Sequence, residues 1–133
     1  MGPYRQFWIH LIARAVVWFV WVYHGVVPKL IFLHADELTI LRDAGVAVES
    51  APTMVFWIGW AEVVMGLWVW LGIPSARWPF FVTIVFGIGT TIGAAIQSPD
   101  FLIAAFNPVS LNVLFIALSL IGLMSERKAE VSP

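Results

Sequence analysis

The sequence predicts an all-α membrane protein built as a bundle of four transmembrane helices. Of its 133 residues, 61% are hydrophobic and 11% are charged, whereas a soluble domain is about 45–50% apolar and about 25% charged. A globule of this size cannot bury so much apolar surface, and the apolar residues fall into four stretches long enough to cross a bilayer. We therefore expect residues 1–133 to form a single transmembrane domain.

The predicted spans cover about residues 6–27, 53–72, 79–97 and 108–124, each close to the length that a bilayer requires. Pro28 ends the first span because proline lacks the N–H group that a helix interior needs. That span is too long to be the apolar core of a signal peptide. Asn107 and Pro108 are typical of a helix cap followed by proline in the first turn, and they open the fourth span.

The connections between the spans are predicted to differ in kind. Residues 74–78 form a tight turn. Residues 36–45 begin with two acids and end with glycine, which is typical of a short amphipathic helix. Residues 98–106 are apolar but begin with their own cap, and they predict a short helix at the membrane surface.

The distribution of basic residues predicts that both termini are cytoplasmic, because Lys and Arg concentrate in cytoplasmic loops. The side that carries the termini holds Arg5, Arg77, Arg127 and Lys128, whereas the other side holds Lys29 and Arg42. The two longer loops are then expected to face the outside.

Composition also excludes several functions. A net charge of −1 does not suggest a nucleic-acid partner. The absence of cysteine excludes thiol chemistry, iron–sulfur clusters and cysteine-bound zinc. His10 and His24 lie about 21 Å apart along one helix, and no other predicted span supplies a histidine. We therefore expect no metal site and no tightly bound cofactor.

Arg14 and Glu62 are the two charges inside predicted spans. Each lies near the middle of its span, and a charge at that depth normally faces the bundle interior and finds a partner. The sequence therefore predicts a buried ion pair between Arg14 and Glu62. Its role remains open between fixing the helix register and taking part in function.

A ligand site is predicted near the outer face, where the polar ends of several helices meet. Four hydrogen-bonding side chains at one depth suit a quinone carbonyl or a lipid head group, with aromatic rings beside it. The alternative is that polar residues collect at solvated helix ends without binding any ligand. The predicted polar residues are His24, Gln97, Asn107 and Asn112, with Trp21 and Phe106 as flanking rings and Lys29 with residues 36–43 above them.

The sequence contains the blocks Tyr23-His24-Gly25-Val26-Val27-Pro28-Lys29-Leu30, Gly59-Trp60-Ala61-Glu62-Val63-Val64-Met65-Gly66-Leu67 and Phe106-Asn107-Pro108-Val109. With these three blocks the chain resembles the DoxX-like family of small four-helix bacterial membrane proteins. The resemblance covers about residues 7–124 and implies a multi-pass protein of the bacterial inner membrane. The family takes its name from a subunit of a thiosulfate:quinone oxidoreductase, which implies membrane redox work with quinone as the candidate cofactor. It supplies no catalytic residue.

Three functions are compatible with these features. The first is an accessory subunit that binds a quinone or lipid head group and docks a larger protein, since electrons would have to be carried elsewhere. The second is a small transporter or channel that uses the polar seam of the bundle, although no inverted repeat or broken helix is visible. The third is a structural subunit in a larger complex or homo-oligomer. A standalone enzyme ranks last.

Overall fold

The computed structural model describes residues 3–75, 77–105 and 107–129, and its four long helices are apolar enough to cross a membrane. This confirms the predicted four-helix membrane bundle. The elements are α1 (Pro3–Gly25), which continues as a π-helical segment (Val26–Ile31), then α2 (Ala35–Asp43), α3 (Ala51–Leu71), α4 (Arg77–Gln97), a short 3-10 turn (Pro99–Leu102) and α5 (Pro108–Ala129).

The long helices form a four-sided bundle in which α1 packs against both α3 and α5, and α5 packs against α4. The fourth side is looser, because α3 and α4 touch only weakly. The short helix α2 lies across α3 and α4. We call the end of the bundle that carries α2 and the 3-10 turn the α2 end, and the opposite end, which carries the connection from α3 to α4, the terminal end.

Glycine allows α1 and α3 to approach closely, as expected where membrane helices pack through small residues. A Cβ atom added to Gly25 would lie 2.5 Å from the carbonyl oxygen of Gly59, and one added to Gly66 would lie 2.7 Å from Cγ2 of Val22. A Cβ added to Gly89 or Gly93 would meet no atom within 4 Å. Those two glycines therefore form no helix contact within the described chain.

The first span is longer than the sequence predicts. It runs from Tyr4 to Ile31, because α1 widens into the π-helical segment and does not stop at Pro28. Proline removes the N–H group that would bond the carbonyl of His24 four residues earlier, and Lys29 Nζ donates to that carbonyl at 3.4 Å. A substitute donor of this kind is what allows a membrane helix to tolerate proline.

The two longer predicted connections contain short helical segments, which are α2 and the 3-10 turn Pro99–Leu102. In α2 the acids Asp36 and Glu37 stand in the first turn. The N–H group of Asp36 donates to Nδ1 of the capping residue His34 at 3.3 Å. Near the other loop, Asn107 caps α5 through its Oδ1, which accepts from the N–H group of Ser110 at 2.9 Å.

Candidate functional site

A pocket lies between all four long helices in the half of the bundle nearer the α2 end. Its volume is about 30 Å³, which is space for one or two water molecules. Each of the four long helices supplies part of the wall, so the pocket exists only in the assembled bundle. It is lined by Val20, Trp21, His24, Glu62, Phe86, Leu111, Asn112 and Phe115.

Three of these side chains are polar and the others are apolar or aromatic. The aromatic wall is continuous, since the Trp21 ring centroid lies 4.7 Å from that of Phe86 and 5.4 Å from that of Phe115. The indole N–H group of Trp21 donates to Oγ1 of Thr83 at 2.9 Å. Trp21 therefore offers the pocket its ring and not its hydrogen-bond donor.

Behind the pocket, Lys29 forms a buried charge cluster with two acids. Its Nζ lies 3.1 Å from Oε2 of Glu62 and 2.9 Å from Oε1 of Glu37. The side chains of Lys29 and Glu62 are 5% and 8% exposed, so this pair lies inside the protein. Because two carboxylates surround one ammonium group, the cluster carries a formal charge of −1.

The predicted ion pair between Arg14 and Glu62 is wrong. Glu62 pairs with Lys29, and Arg14 donates from Nε to the carbonyl oxygen of Val69 at 2.8 Å. The reason is the relative height of the two helices, since Gly25 packs directly against Gly59 and Glu62. Arg14 lies eleven residues before Gly25, about 16 Å further along the helix axis.

Asn112 enters the pocket from α5 in a fixed orientation. Its Nδ2 donates to Oγ1 of Thr90 at 3.1 Å and to Oγ1 of Thr91 at 2.9 Å. Both threonines donate their own hydroxyl protons to carbonyl oxygens of α4, at 2.9 Å to Phe86 and 2.7 Å to Gly87. The threonine oxygens can therefore only accept, which identifies the atom of Asn112 that faces them as the amide nitrogen.

The structure brings together part of the predicted site. His24, Trp21 and Asn112 line one pocket, and Lys29 contacts its wall through Glu62. Gln97 is exposed and does not line the pocket, and Asn107 uses its side chain to cap α5. Phe106 lies outside the described residues. Gln97 and Asn107 stand closer to the ends of their helices, roughly three turns from the level of Phe86 and roughly one and a half turns from that of Asn112.

Sequence reasoning missed the acid in the pocket wall. Glu62 was expected to be occupied by Arg14, whereas it stands between Lys29 and the pocket. Glu37 was also missed as a partner of Lys29. The available signal was the presence of Lys29 and Glu62 in two of the family-like blocks, but the distance between those blocks cannot be read from residue order.

The α2 helix is held over the α2 end of the bundle by two polar contacts. Glu37 accepts from Lys29, and at the other end of the helix Oδ2 of Asp43 accepts from the Ser98 hydroxyl at 2.6 Å. One contact reaches the end of the first span and the other reaches the residue that follows α4. Together they tie α2 across the weakly packed side between α3 and α4.

The site can bind and orient a polar group, and it offers no metal-ligand set. Across the described ranges, no group of three or more His, Asp or Glu side chains stands where it could hold a metal ion. His10 bonds Ser125 near the terminal end at 3.1 Å, and His34 caps α2. The histidines therefore act separately.

A sequence-family model matches the part of the chain that forms the pocket. The model that describes the DoxX-like family matches residues 18–120. The chain belongs to the DoxX-like family. Every residue that lines the pocket lies within the part that matches, as do Lys29 and Glu37. No curated protein and no solved structure matches the chain.

Proposed function

We propose that this small integral membrane protein is an accessory subunit of a membrane redox enzyme and that its pocket binds a lipid-borne head group, with a quinone as the first candidate. One observation carries the proposal: aromatic walls surround a histidine, an amide and a buried carboxylate. Small-molecule sites have this composition, with mostly apolar walls and a few polar groups that fix orientation. The redox role is the one that the family resemblance implies.

The size of the pocket determines how a quinone would bind. A site that encloses a whole ligand measures about 300–1,000 Å³, and this pocket of about 30 Å³ admits one polar group. The oxygen-bearing edge of a quinone ring would enter it, with the ring against Trp21 and Phe86. Phe86 is 39% exposed, so the ring and its tail would continue into the lipid.

The redox group itself belongs to a partner in this proposal. The chain has no cysteine, and its three histidines stand at three separate places along the bundle. The role left to the chain is to present the head group to a larger protein. A cofactor in that partner would carry the electrons.

The core of the bundle favours a binding site over a transport path. A transporter that uses the polar seam would need a route from the pocket to the terminal end. Val17, Val69 and Phe80 are at most 1% exposed, and with Trp21 and Phe115 they form the apolar core. Moving a polar solute through this core without hydrogen-bonding partners would cost several kcal/mol, of order 2–7 for one uncharged polar group.

The proposed orientation follows the basic residues. We place the protein in the bacterial inner membrane with both termini in the cytoplasm, because four basic residues lie on that side and two on the other. Single cysteines at Ala44 and Ala105 should react with a membrane-impermeant thiol reagent added outside sealed cells, and one at Ala129 should not. The natural chain has no cysteine, so the background is clean. Labelling of position 129 from outside would contradict the proposed orientation and place the C-terminus outside the cell.

Quinone retained through purification tests the proposed ligand. The wild-type protein, extracted in a mild detergent, should carry quinone detectable by mass spectrometry of its organic extract. The variants His24→Ala and Asn112→Leu should retain several-fold less, because each removes a hydrogen-bonding group from the pocket.

The matched control is Gln97→Leu, which removes a polar side chain near the same end of the bundle but outside the pocket. It should retain as much quinone as the wild type. Equal retention by all four proteins, or none by the wild type, would overturn the proposed ligand and leave the structural subunit as the better interpretation.

A further inference from the structure

We propose that the pocket selects a group that donates hydrogen bonds, so that, on the basis of the proposed function, it binds a hydroquinone in preference to the quinone. A quinone ring carries two carbonyl oxygens, which only accept hydrogen bonds. Its reduced form carries two hydroxyl groups, which donate. The selection follows from which polar atoms of the site are already engaged.

Lys29 is the cation beside the pocket, and its ammonium group is engaged by the protein itself. An ammonium group has three protons, and Nζ of Lys29 is surrounded by three oxygens, at 2.9 Å on Glu37, 3.1 Å on Glu62 and 3.4 Å on the carbonyl of His24. Its side chain is 5% exposed, and it is not part of the pocket wall. Because its ammonium group is buried among these oxygens and lies outside the pocket wall, Lys29 is not placed to donate to a ligand in the pocket.

The two neutral donors in the wall are also engaged by the protein. Both amide protons of Asn112 are directed to Thr90 and Thr91, and the indole proton of Trp21 is directed to Thr83. The hydroxyl of Thr83 donates to the carbonyl of Pro79 at 2.8 Å, so it too can only accept from the indole. What remains of Asn112 for the pocket is Oδ1, an acceptor.

Glu62, by contrast, is short of donors. Within the described residues, its buried Oε2 receives no hydrogen bond of standard geometry, although it lies 3.1 Å from Lys29 Nζ. A buried carboxylate that is incompletely hydrogen-bonded is costly, and a donor supplied by a ligand would relieve that cost.

The pocket therefore presents two acceptors, Glu62 and Asn112, and one side chain that can act either way. A neutral imidazole has one donor and one acceptor nitrogen, so His24 is the single possible donor among the described side chains that line the pocket. A carbonyl oxygen placed against Glu62 and Asn112 would leave three acceptors facing one another. A hydroxyl in the same place would satisfy at least one of them.

Three ligands with the same ring test this selection on the wild-type protein in lipid nanodiscs. They are decylubiquinol kept reduced under argon, decylubiquinone, and the dimethyl ether of decylubiquinol, which keeps the ring but has no donor. We expect the quinol to bind about 10- to 100-fold more tightly than the other two, the effect of a hydrogen bond to a charged group. Equal binding of quinol and quinone, or of quinol and its ether, would overturn the selection while leaving the proposed quinone site intact.

The variant Glu62→Gln sharpens the test because it replaces an acceptor by an amide of the same shape that can also donate. It should reduce the preference for quinol over quinone to less than about threefold, whereas the control Gln97→Leu should keep the full preference. A Glu62→Gln protein with unchanged preference would remove Glu62 from the selection and overturn its assignment. The comparison of ligands on the wild type stands whether or not the variant folds.

A second pair of ligands separates this inference from the proposed function. Phosphatidylethanolamine has N–H donors on its head group, and phosphatidylcholine has none. If no quinone-type ligand binds, the proposed function fails. Preferential retention of the ethanolamine lipid would then support a donor-selecting pocket with a different ligand, and equal retention of the two lipids would overturn the donor selection as well.

Discussion

The two halves of the bundle differ in the side chains that fill their interiors. Towards the terminal end, the interior is mainly apolar, its buried hydroxyl groups donate to carbonyl oxygens of their own helices, and the Phe80 ring packs directly on Gly122. Towards the α2 end, the interior holds a pocket, an amide bonded to threonines and the charge cluster of Lys29, Glu37 and Glu62. Both halves contain close helix contacts, since Gly25 packs on Gly59 near the α2 end. The difference is in polarity, because the pocket and the charge cluster lie in the half nearer the α2 end.

The two charges first expected to pair illustrate the same difference. Arg14 is half-buried and bonds one backbone carbonyl, whereas Glu62 is 6% exposed and shares a buried cation with a second acid. Removing the cation should therefore cost far more than removing the arginine. The loss of unfolding free energy caused by substituting Lys29 can therefore be compared with the loss caused by substituting Arg14.

The largest expected effect is that of Lys29→Met. It leaves Glu62 as an uncompensated buried charge, which typically costs about 3–5 kcal/mol, and the loss can be measured by unfolding in mixed micelles. Combining it with Glu62→Leu should recover much of that loss, because an apolar pair can replace a buried ion pair. The comparison variant Arg14→Met should cost about 1 kcal/mol, the value of one hydrogen bond.

Two outcomes of these unfolding measurements would contradict what we expect. If Arg14→Met destabilises the protein as much as Lys29→Met, the charge cluster has no special role in the fold. If the double variant loses the sum of the two single losses, Lys29 and Glu62 do not interact. The first result would contradict the expected difference between the two positions, and the second would contradict the ion pair between Lys29 and Glu62.

A smaller effect is expected from Gly122→Leu, which tests the packed half. The added side chain would meet the Phe80 ring, and overpacking of this kind typically costs about 1–3 kcal/mol. The matched control is Gly89→Leu, since a Cβ atom at Gly89 meets nothing within 4 Å. Thermal unfolding of both variants in the same detergent gives the difference. Equal melting temperatures would show that the terminal half is not tightly packed.

The fold could be predicted from the sequence more fully than the site. Four apolar stretches, separated by proline and polar residues, are enough to predict four spans, since the bilayer fixes their length. The partner of Glu62 could not be predicted, because equal depth counted within two spans does not show how the two helices are offset along their axes. In the structure Gly25, and not Arg14, lies opposite Glu62.

The same reasoning explains which polar residues were placed correctly. His24 and Asn112 were expected near one depth from their positions in two different helices, and they do line one pocket. Gln97 and Asn107 sit at helix ends, where a side chain turns outward or caps as readily as it turns inward. The choice between these outcomes depends on how the loops pack, which periodicity does not encode.

The length of the first span has a consequence for how the protein sits in a bilayer. Its 28 residues extend about 40 Å at 1.5 Å per residue, against a hydrocarbon thickness of about 30 Å. The spans of α3 and α4 have 21 residues each and match that thickness at about 31 Å. The first span must therefore tilt or project beyond its neighbours. Since Val20, Trp21 and His24 all lie on it, the thickness of the surrounding membrane acts on three of the residues that line the pocket at once.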